Sequence, residues 1–496
     1  MSIKVKRNVF LAAIAAMLVV QAYLRFQSDI IQDVAWFIHV ANQLLQGKTL
    51  YVDIIEVNPP LGMWLIVPIV WLANLFHIDS VIAVDTTLLL ASAAVLTLCN
   101  RYLKLVNILN ANARMLIVAA LAFIVLFFPA IYFAEREHFM VLLFLPWLFL
   151  RLADNSSSKI GTVERILVGL MAGAAICIKP QSFFAPAMVE LVLFLQGKSL
   201  RKIFAVENIS AGLFAVIYAG AILRFAPKFL NEMLALGAKA YVPFYGYPLY
   251  VIVFYARWTI PAMLIAYLIR NRLAVLKHDT LIVDGLLAAT LGFSISYFVQ
   301  MKGFGYQIVP ADILASTASA TGAILLWQTD RKFSVYSLGA VCIPLFLVFG
   351  VPQTYLNSFK GADGIMARNA PQAKSIFIAS TRLGDAFPFV QQRNLIWASR
   401  LPTQWLTPYV DSKWHGGDVP QDDVVRSALE WTVTDLLNFK PDIVMIDISD
   451  DQIYVQSGKF DYVQFWQNDK RFAEFWSHYK LQETTKDLAV YSLVTP

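Results

Sequence analysis

Apolar residues gather in long unbroken runs, not at the alternating spacing of a half-buried strand or the single stripe of a surface helix. The first covers residues 9–24, behind Lys4, Lys6 and Arg7. Others follow at about 80–100, 115–133, 138–152, 164–178, 182–196, 203–225, 249–269, 281–299, 307–327 and 333–351. A helix perpendicular to a bilayer needs about 20 apolar residues to cross it, so the pattern predicts a polytopic α-helical membrane protein. No small-residue cleavage pattern follows the first run, which reads as an uncleaved anchor with its N-terminus inside.

From about residue 352 the pattern changes. Charges and turn residues return, and the apolar runs shorten to strand length. Residues 375–379, 394–398, 443–447 and 488–493 read as strands and 424–437 as a helix. The expected division is a transmembrane domain over residues 1–355 and a small C-terminal extracytoplasmic α/β domain over 356–496.

One apolar stretch, 61–76, is judged by charge, not by hydropathy. The connections holding Arg101, Lys104 and Arg114, then Arg151, Lys159 and Arg165, then Lys198, Arg201 and Lys202, then Arg270, Arg272 and Lys277, then Arg331 and Lys332 are all basic. The positive-inside rule puts each of them in the cytoplasm. That holds only if 61–76 does not cross and lies as a juxtamembrane or re-entrant helix on the outer side. About 11 transmembrane helices then remain, with the N-terminus in and the tail out of the inner (cytoplasmic) membrane.

Composition agrees. Hydrophobic residues make up 58% of the 496-residue chain and charged ones 15%, against about 25% charge in a typical soluble protein, which excludes an ordinary cytosolic enzyme. The 35 Phe, 20 Tyr and 12 Trp suit bilayer interfaces. Cys99, Cys177 and Cys342 lie apart in apolar runs, which argues against a disulfide framework or a zinc site. The net charge of +6 fits basic cytoplasmic loops and carries no nucleic-acid signal.

With this topology the chemically suggestive segments all fall on the outer face. In residues 32–47, Val34, Phe37, Ile38, Ala41, Leu44 and Leu45 share one helical arc, opposed by His39, Gln43 and Gln46. This predicts an amphipathic helix lying along the membrane and stopped by Gly47. Asp33 stands at its start, where a carboxylate ordinarily caps the helix. The loop continues through Tyr51, Asp53 and Glu56 to Asn58-Pro59-Pro60, where two prolines impose a rigid turn.

These residues resemble the first outer loop of membrane glycosyltransferases with the GT-C fold. The likeness lies in an Asp, an aromatic and Ala on a short helix, then Gly-x-x-x-Tyr-x-Asp, then x-Pro-Pro-Leu heading another apolar helix. The branch it is most similar to holds the protein O-mannosyltransferases, the lipid A aminoarabinose transferases and the rhizobial galacturonosyltransferases. The resemblance is clearest over residues 33–65. Relatives commonly carry Lys before the Pro-Pro, where this chain has Asn58.

The resemblance implies a polyprenyl-phosphate-sugar donor, used on the outer face with inversion at the anomeric carbon, and Asp33 as general base toward an acceptor hydroxyl. The acceptor it implies is an envelope glycan, lipid or protein, such as lipopolysaccharide. Neither a cofactor nor a metal is implied. Asp53, Glu56 and Asn58 are candidate substrate-binding groups beside Asp33. Relatives also place a second acidic residue in the outer loop that here holds Glu135-Arg136-Glu137-His138. Either glutamate fits, and the preferred assignment has Glu137 and His138 orienting the acceptor and Arg136 facing phosphate. The competing account is a charged hairpin whose residues satisfy one another.

Preorganised cations stabilise a departing phosphate. Lys302, flanked by Gly303-Phe304-Gly305-Tyr306, and Lys179, before Pro180, are the candidates, although a lysine at a helix end also snorkels to the headgroups. Tyr306 adds a hydroxyl, and Asp312 is placed to orient one of the cations. The tyrosines of 227–248 suit interfacial anchoring or a lipid or sugar groove. Trp397, Arg400, Trp405 and Trp414 suit either carbohydrate stacking or the core of the tail.

A transporter or flippase is the principal alternative, since Glu190 and Arg257 fall inside spans at a cost of about 2.5–3.5 kcal/mol each unless paired. Most charge sits at outer helix ends instead, and transport needs no large soluble tail. An oligosaccharide ligase using a pyrophosphate-linked donor would keep the chemistry. A metal-dependent oligosaccharyltransferase would need an acidic cluster, drawn from Asp33, Glu135 and Glu137.

Overall fold

The computed structural model describes residues 3–153, 160–197, 199–329 and 362–494. The expected span at 333–351 lies outside them. The chain divides into two compact units that do not follow chain order. A helical unit comprises Met1–Ser28, Leu72–Ala221 and Gly246–Tyr355. A sheet unit comprises Asp29–Trp71, Ile222–Tyr245 and Leu356–Pro496.

The helical unit contains α1 (Ile3–Phe26), α4 (Ser80–Leu103), α5 (Ala111–Phe127), α6 (Arg136–Leu152), α7 (Thr162–Ile178), α8 (Phe184–Gly197) and most of α9 (Val206–Phe225). It continues with α11 (Leu249–Tyr255), α12 (Thr259–Val275), α13 (Leu281–Gln300) and α14 (Val309–Thr329). Among the described residues, five helices are long and apolar enough to cross a membrane, or six if α11 and α12, bent by 50° at Ala256–Trp258, make one broken span. The single run expected over 249–269 is thus two helices. The interruption places Arg257 at the break.

Small residues set the packing. Gly169 and Gly173 on α7 lie against the Glu207 and Ala211 carbonyls of α9, and Gly292 on α13 lies against the Ala185 backbone of α8. A Cβ at any of the three would collide with backbone, so close helix approach depends on them. Most of α14 is buried at the centre of this unit, against α12, α13 and α5.

Glu190 and Arg257, costly inside a span unless paired, both find partners. Glu190 does not meet Arg257. Its carboxylate accepts from Arg151 at 2.6 Å, and Arg151 also donates to Glu207 at 2.9 Å, which in turn accepts from Arg165 at 2.9 Å. Arg151, expected in a hydrated connection, is 1% exposed. Arg257 instead covers the Phe254 ring at 3.7 Å and donates to the Phe254 carbonyl at 2.8 Å.

The sheet unit is built on five strands in the order β2-β1-β3-β5-β4. β1 (Ser375–Ala379), β2 (Ile396–Trp397) and β3 (Ile443–Asp447) run parallel, and β4 (Tyr479–Thr484) and β5 (Leu488–Leu493) complete the sheet antiparallel. Three strands begin and end where the apolar runs do. β4 was missed because its burial alternates weakly, with mostly exposed residues after Tyr479. The helix Asp423–Phe439 starts on the Asp422 side chain, which accepts from the amides of Val424 and Val425.

Two loop segments belong to this unit. The first holds α2 (Gln32–Leu45) and the start of α3 (Leu61–Leu75). The second, after Ile222, winds as π-helical turns at Phe229–Met233 and Gly237–Tyr241 around one α-turn, α10 (Leu234–Leu236). Tyr245 is not an interfacial anchor. It is buried against Tyr454 at 4.4 Å and stacked on Tyr241 at 4.5 Å. Trp397, Trp405 and Trp414 are buried in the core of the unit, and Arg400 pairs with Asp435 at 2.6 Å.

Candidate functional site

In the helical unit the chain turns sharply between α5 and α6, with Ala130 at φ 51° and Ala134 at φ 69°. Left-handed backbone at two alanines is costly, and such strain gathers at sites where side chains must be aimed. Glu135 is the N-cap of α6 without a side-chain cap bond, and Glu137 lies in the first turn. Glu135, Arg136, Glu137 and His138 are all buried. The His138 ring stands edge-on to Phe133 at 4.8 Å.

The partner of Glu137 comes from far along the chain. Pro180 forces the residue before it out of helical geometry, so Lys179 ends α7 in an extended conformation, φ −140° and ψ 103°. Its ammonium bonds Glu137 Oε1 and lies 5.3 Å from the centre of the Tyr306 ring. Lys179 is therefore buried and does not snorkel, and the turn does more than satisfy its own charges. Burial pushes the Lys179 ammonium below the ordinary lysine range, with the Glu137 charge opposing. Glu137 Oε2 is also buried and has no hydrogen-bond partner among the described residues.

Tyr306 links this pair to the segment after α13. Its ring stacks on Phe304 at 5.7 Å and meets Tyr132 edge-on at 6.1 Å, and Phe304 meets Tyr247 at 5.8 Å. The Lys302 carbonyl accepts from the Tyr247 amide at 2.9 Å. Lys302 is 8% exposed, and burial lowers its ammonium to about 8. The glycines beside Phe304 serve the protein's own packing. A Cβ on Gly303 would meet Ile252 and Tyr247, and one on Gly305 would meet the Tyr132 hydroxyl and Tyr255.

Asp312 is placed on neither lysine. Its carboxylate accepts from the Thr259 hydroxyl and lines a cavity of about 130 Å³ with Arg257, Trp258, Tyr132 and Tyr255. Arg25, which sequence reasoning passed over, is buried at the last turn of α1 with its guanidinium 5.2 Å from the centre of the Phe133 ring. A lone charge closing an apolar run was the legible signal.

In the sheet unit Asp33 is the second residue of α2. Ile31 is the N-cap and makes no side-chain cap bond, so Asp33 is not the capping residue. Nor is α2 an exposed amphipathic helix. Val34 to Ile38, Val40 and Ala41 are buried, and His39, expected on the polar face, stacks on Trp36 at 5.3 Å and meets Phe387 at 5.4 Å. Burial there lowers the imidazole to about 4.

The loop after α2 folds on its own acids. The Asp53 carboxylate accepts from the Thr49 amide at 2.8 Å. Glu56 accepts from Trp36 Nε1 at 2.7 Å and, through its other oxygen, from the amides of Val57 and Asn58 and from Asn58 Nδ2. The Asn58 carbonyl accepts from the Tyr51 hydroxyl at 2.6 Å. Trp36 is thus clamped beside Asp33, a link the sequence did not reveal. Among the described residues no group of three His, Cys, Asp or Glu is arranged to hold a metal ion.

By sequence the chain matches no protein-family model and no curated protein. By structure it is similar to ArnT from Cupriavidus metallidurans, solved bound to undecaprenyl phosphate. The TM-score is 0.55 over 99% of this chain and 98% of that one, at 12% identity. It is also similar to the Archaeoglobus fulgidus oligosaccharyltransferase, solved with a tethered acceptor peptide containing the NVT sequon. Here the TM-score is 0.50 over 98% of this chain and 74% of that one, at 10% identity. The chain has the GT-C fold. This is the fold that the resemblance over residues 33–65 implied, and in this chain the helices are apolar and the C-terminal sheet is small.

Proposed function

We propose that the protein is a membrane glycosyltransferase of GT-C type, which moves a sugar from a polyprenyl-phosphate donor to a hydroxyl of an envelope glycan, lipid or protein, on the outer face and with inversion. The observation that carries this reading is the buried Lys179 ammonium held by Glu137 over the Tyr306 ring, in a chain whose fold is shared with a protein solved bound to undecaprenyl phosphate.

Inverting transfer needs a base for the acceptor and positive charge for the leaving phosphate. Asp33 takes the hydroxyl proton as that oxygen attacks the anomeric carbon, a step that requires an approach of about 3 Å. Lys179, Lys302 and Arg136 offset the charge that develops on the phosphate as the sugar–oxygen bond breaks. Two buried ammonium groups whose proton affinity is already lowered gain most from an arriving anion, because the anion restores the environment that burial removed. Glu137 holds Lys179 and leaves a second carboxylate oxygen for the sugar or acceptor, with Glu135 and His138 shaping the turn around it. Tyr306 offers a ring and hydroxyl to the donor. Glu56, which holds Trp36 and Asn58, and Asp53, which holds the Thr49 amide, shape the acceptor side. Asp312 and its cavity complete the substrate-binding set.

The test is a mass-spectrometric profile of lipid-linked sugars and envelope glycans from cells with and without the chain, and with Asp33→Asn. The expected result is an accumulated polyprenyl-phosphate sugar and a missing glycan substituent both without the chain and with Asp33→Asn at equal protein abundance. An unchanged lipid-linked pool accompanied by lost uptake of a solute would refute transfer in favour of transport.

A further inference from the structure

In α/β sheets, ligands bind in the crevice outside the carboxyl ends of the parallel strands. In the sheet unit that crevice opens beyond Ala379, Trp397 and Asp447, the last residues of β1, β2 and β3. The connections around these strands meet the segment that follows Asp33. From the β1–β2 connection, the Phe387 ring meets Trp36 edge-on at 5.3 Å, and Gln391 Nε2 donates to the Ala35 carbonyl at 2.6 Å. Just past β2, the Arg400 carbonyl accepts from the Ile55 amide at 2.8 Å.

These contacts grip the backbone and rings immediately after Asp33 and immediately before Glu56. They matter because Ile31, the N-cap of α2, makes no side-chain cap bond. The first amides of a helix have no partner within it and are held from outside, and a misplacement of about 1 Å at a reacting group costs roughly 100-fold in rate. Gln391 is partly exposed, and its Oε1 is buried without a hydrogen-bond partner among the described residues, so the bond to Ala35 alone aims the side chain.

We propose that Gln391 and Phe387 are positioning residues: the C-terminal sheet domain has turned its ligand-binding edge into a clamp that sets the direction of the Asp33 carboxylate. The inference rests on the reading of Asp33 as the base. It assigns the tail a part in the reaction without a substrate contact of its own.

The experiment uses the full chain, purified in detergent, with the polyprenyl-phosphate-sugar fraction extracted from cells that lack it and acceptor envelopes from the same cells. Gln391→Glu keeps the shape but turns the donor into an acceptor facing the Ala35 carbonyl. It is expected to lower kcat about 10-fold with donor KM and melting temperature unchanged. Gln391→Lys, which returns an N–H donor of similar reach, is expected to recover most of the rate. Phe387→Leu, which keeps apolar volume but loses the ring edge on Trp36, is expected to lower kcat similarly. An inactive Asp33→Asn beside fully active Gln391→Glu and Phe387→Leu would overturn the positioning alone. A rate loss that tracks a fall in melting temperature and is not recovered by Gln391→Lys would also overturn it. Full turnover in Asp33→Asn would overturn the base assignment and the clamp with it.

Discussion

Lys302 shows how burial turns an ordinary side chain into a titrating one. An exposed lysine stays charged to about pH 10.4, whereas burial brings the Lys302 ammonium to about 8. Because the lowered value belongs to a base, the cation is present below pH 8 and is lost as pH rises through it. Unfolding restores the higher proton affinity, so the destabilising contribution of this lysine is complete below pH 8 and is relieved as pH rises toward the unfolded value. For a phosphate-binding group, the donor kcat/KM is expected to fall as pH rises above about 8. In Lys302→Arg the fall is expected to move beyond the measurable range, since a guanidinium stays charged. A pH profile of initial rates checks this, and an identical alkaline limb in both proteins would remove Lys302 from the donor site. The sequence marked Lys302 and Lys179 as cations at helix ends. It did not reveal that both are buried, nor that Lys179 pairs with Glu137 over the Tyr306 ring while the Lys302 carbonyl accepts from the Tyr247 amide.

Among elements, α6 carries the contrast between local and distant information. Its first turn holds Glu137, bonded to Lys179 from the end of α7, and its last turn holds Arg151, bonded to Glu190 on α8 and Glu207 on α9. The basic residues used to infer topology thus include one that is buried and structural, because its pairs with Glu190 and the buried Glu207 offset the cost of taking it out of water. Arg151→Met leaves Glu190 without a cation and Glu207 with Arg165 alone, and is expected to destabilise the protein by about 3–5 kcal/mol. Removal of Arg101, whose pairing with Glu164 leaves its own side chain 55% exposed, is expected to cost less than about 1 kcal/mol. Thermal melts of the two purified variants in the same detergent decide it; equal losses would mean that the Arg151 cluster is hydrated.

For the whole molecule, chain order and spatial order differ. The division at residue 355 follows composition, whereas the compact units place residues 29–71 and 222–245 with the tail. Neither a hydropathy run nor a charge pattern carries that information, because Trp36, Phe387 and Gln391 are drawn together by ring packing and one hydrogen bond across more than half of the sequence. The inferred orientation has a direct check. A reporter fused to the C-terminus is expected to be active only outside the cytoplasm; a cytoplasmic signal would overturn the orientation inferred from the basic connections.

The sequence by itself determined the apolar helices, the placement of β1, β3 and β5, and the motif around Asp33 that implied a GT-C fold. Each of these is written in neighbouring residues, through periodicity, span length or a proline turn. Only the tertiary structure decided which glutamate of the turn receives Lys179, where Asp312 and Glu190 find their partners, and what covers α2. Those outcomes are pairings between residues distant in the chain, chosen by whichever side chain packing brings within reach of a buried charge or ring.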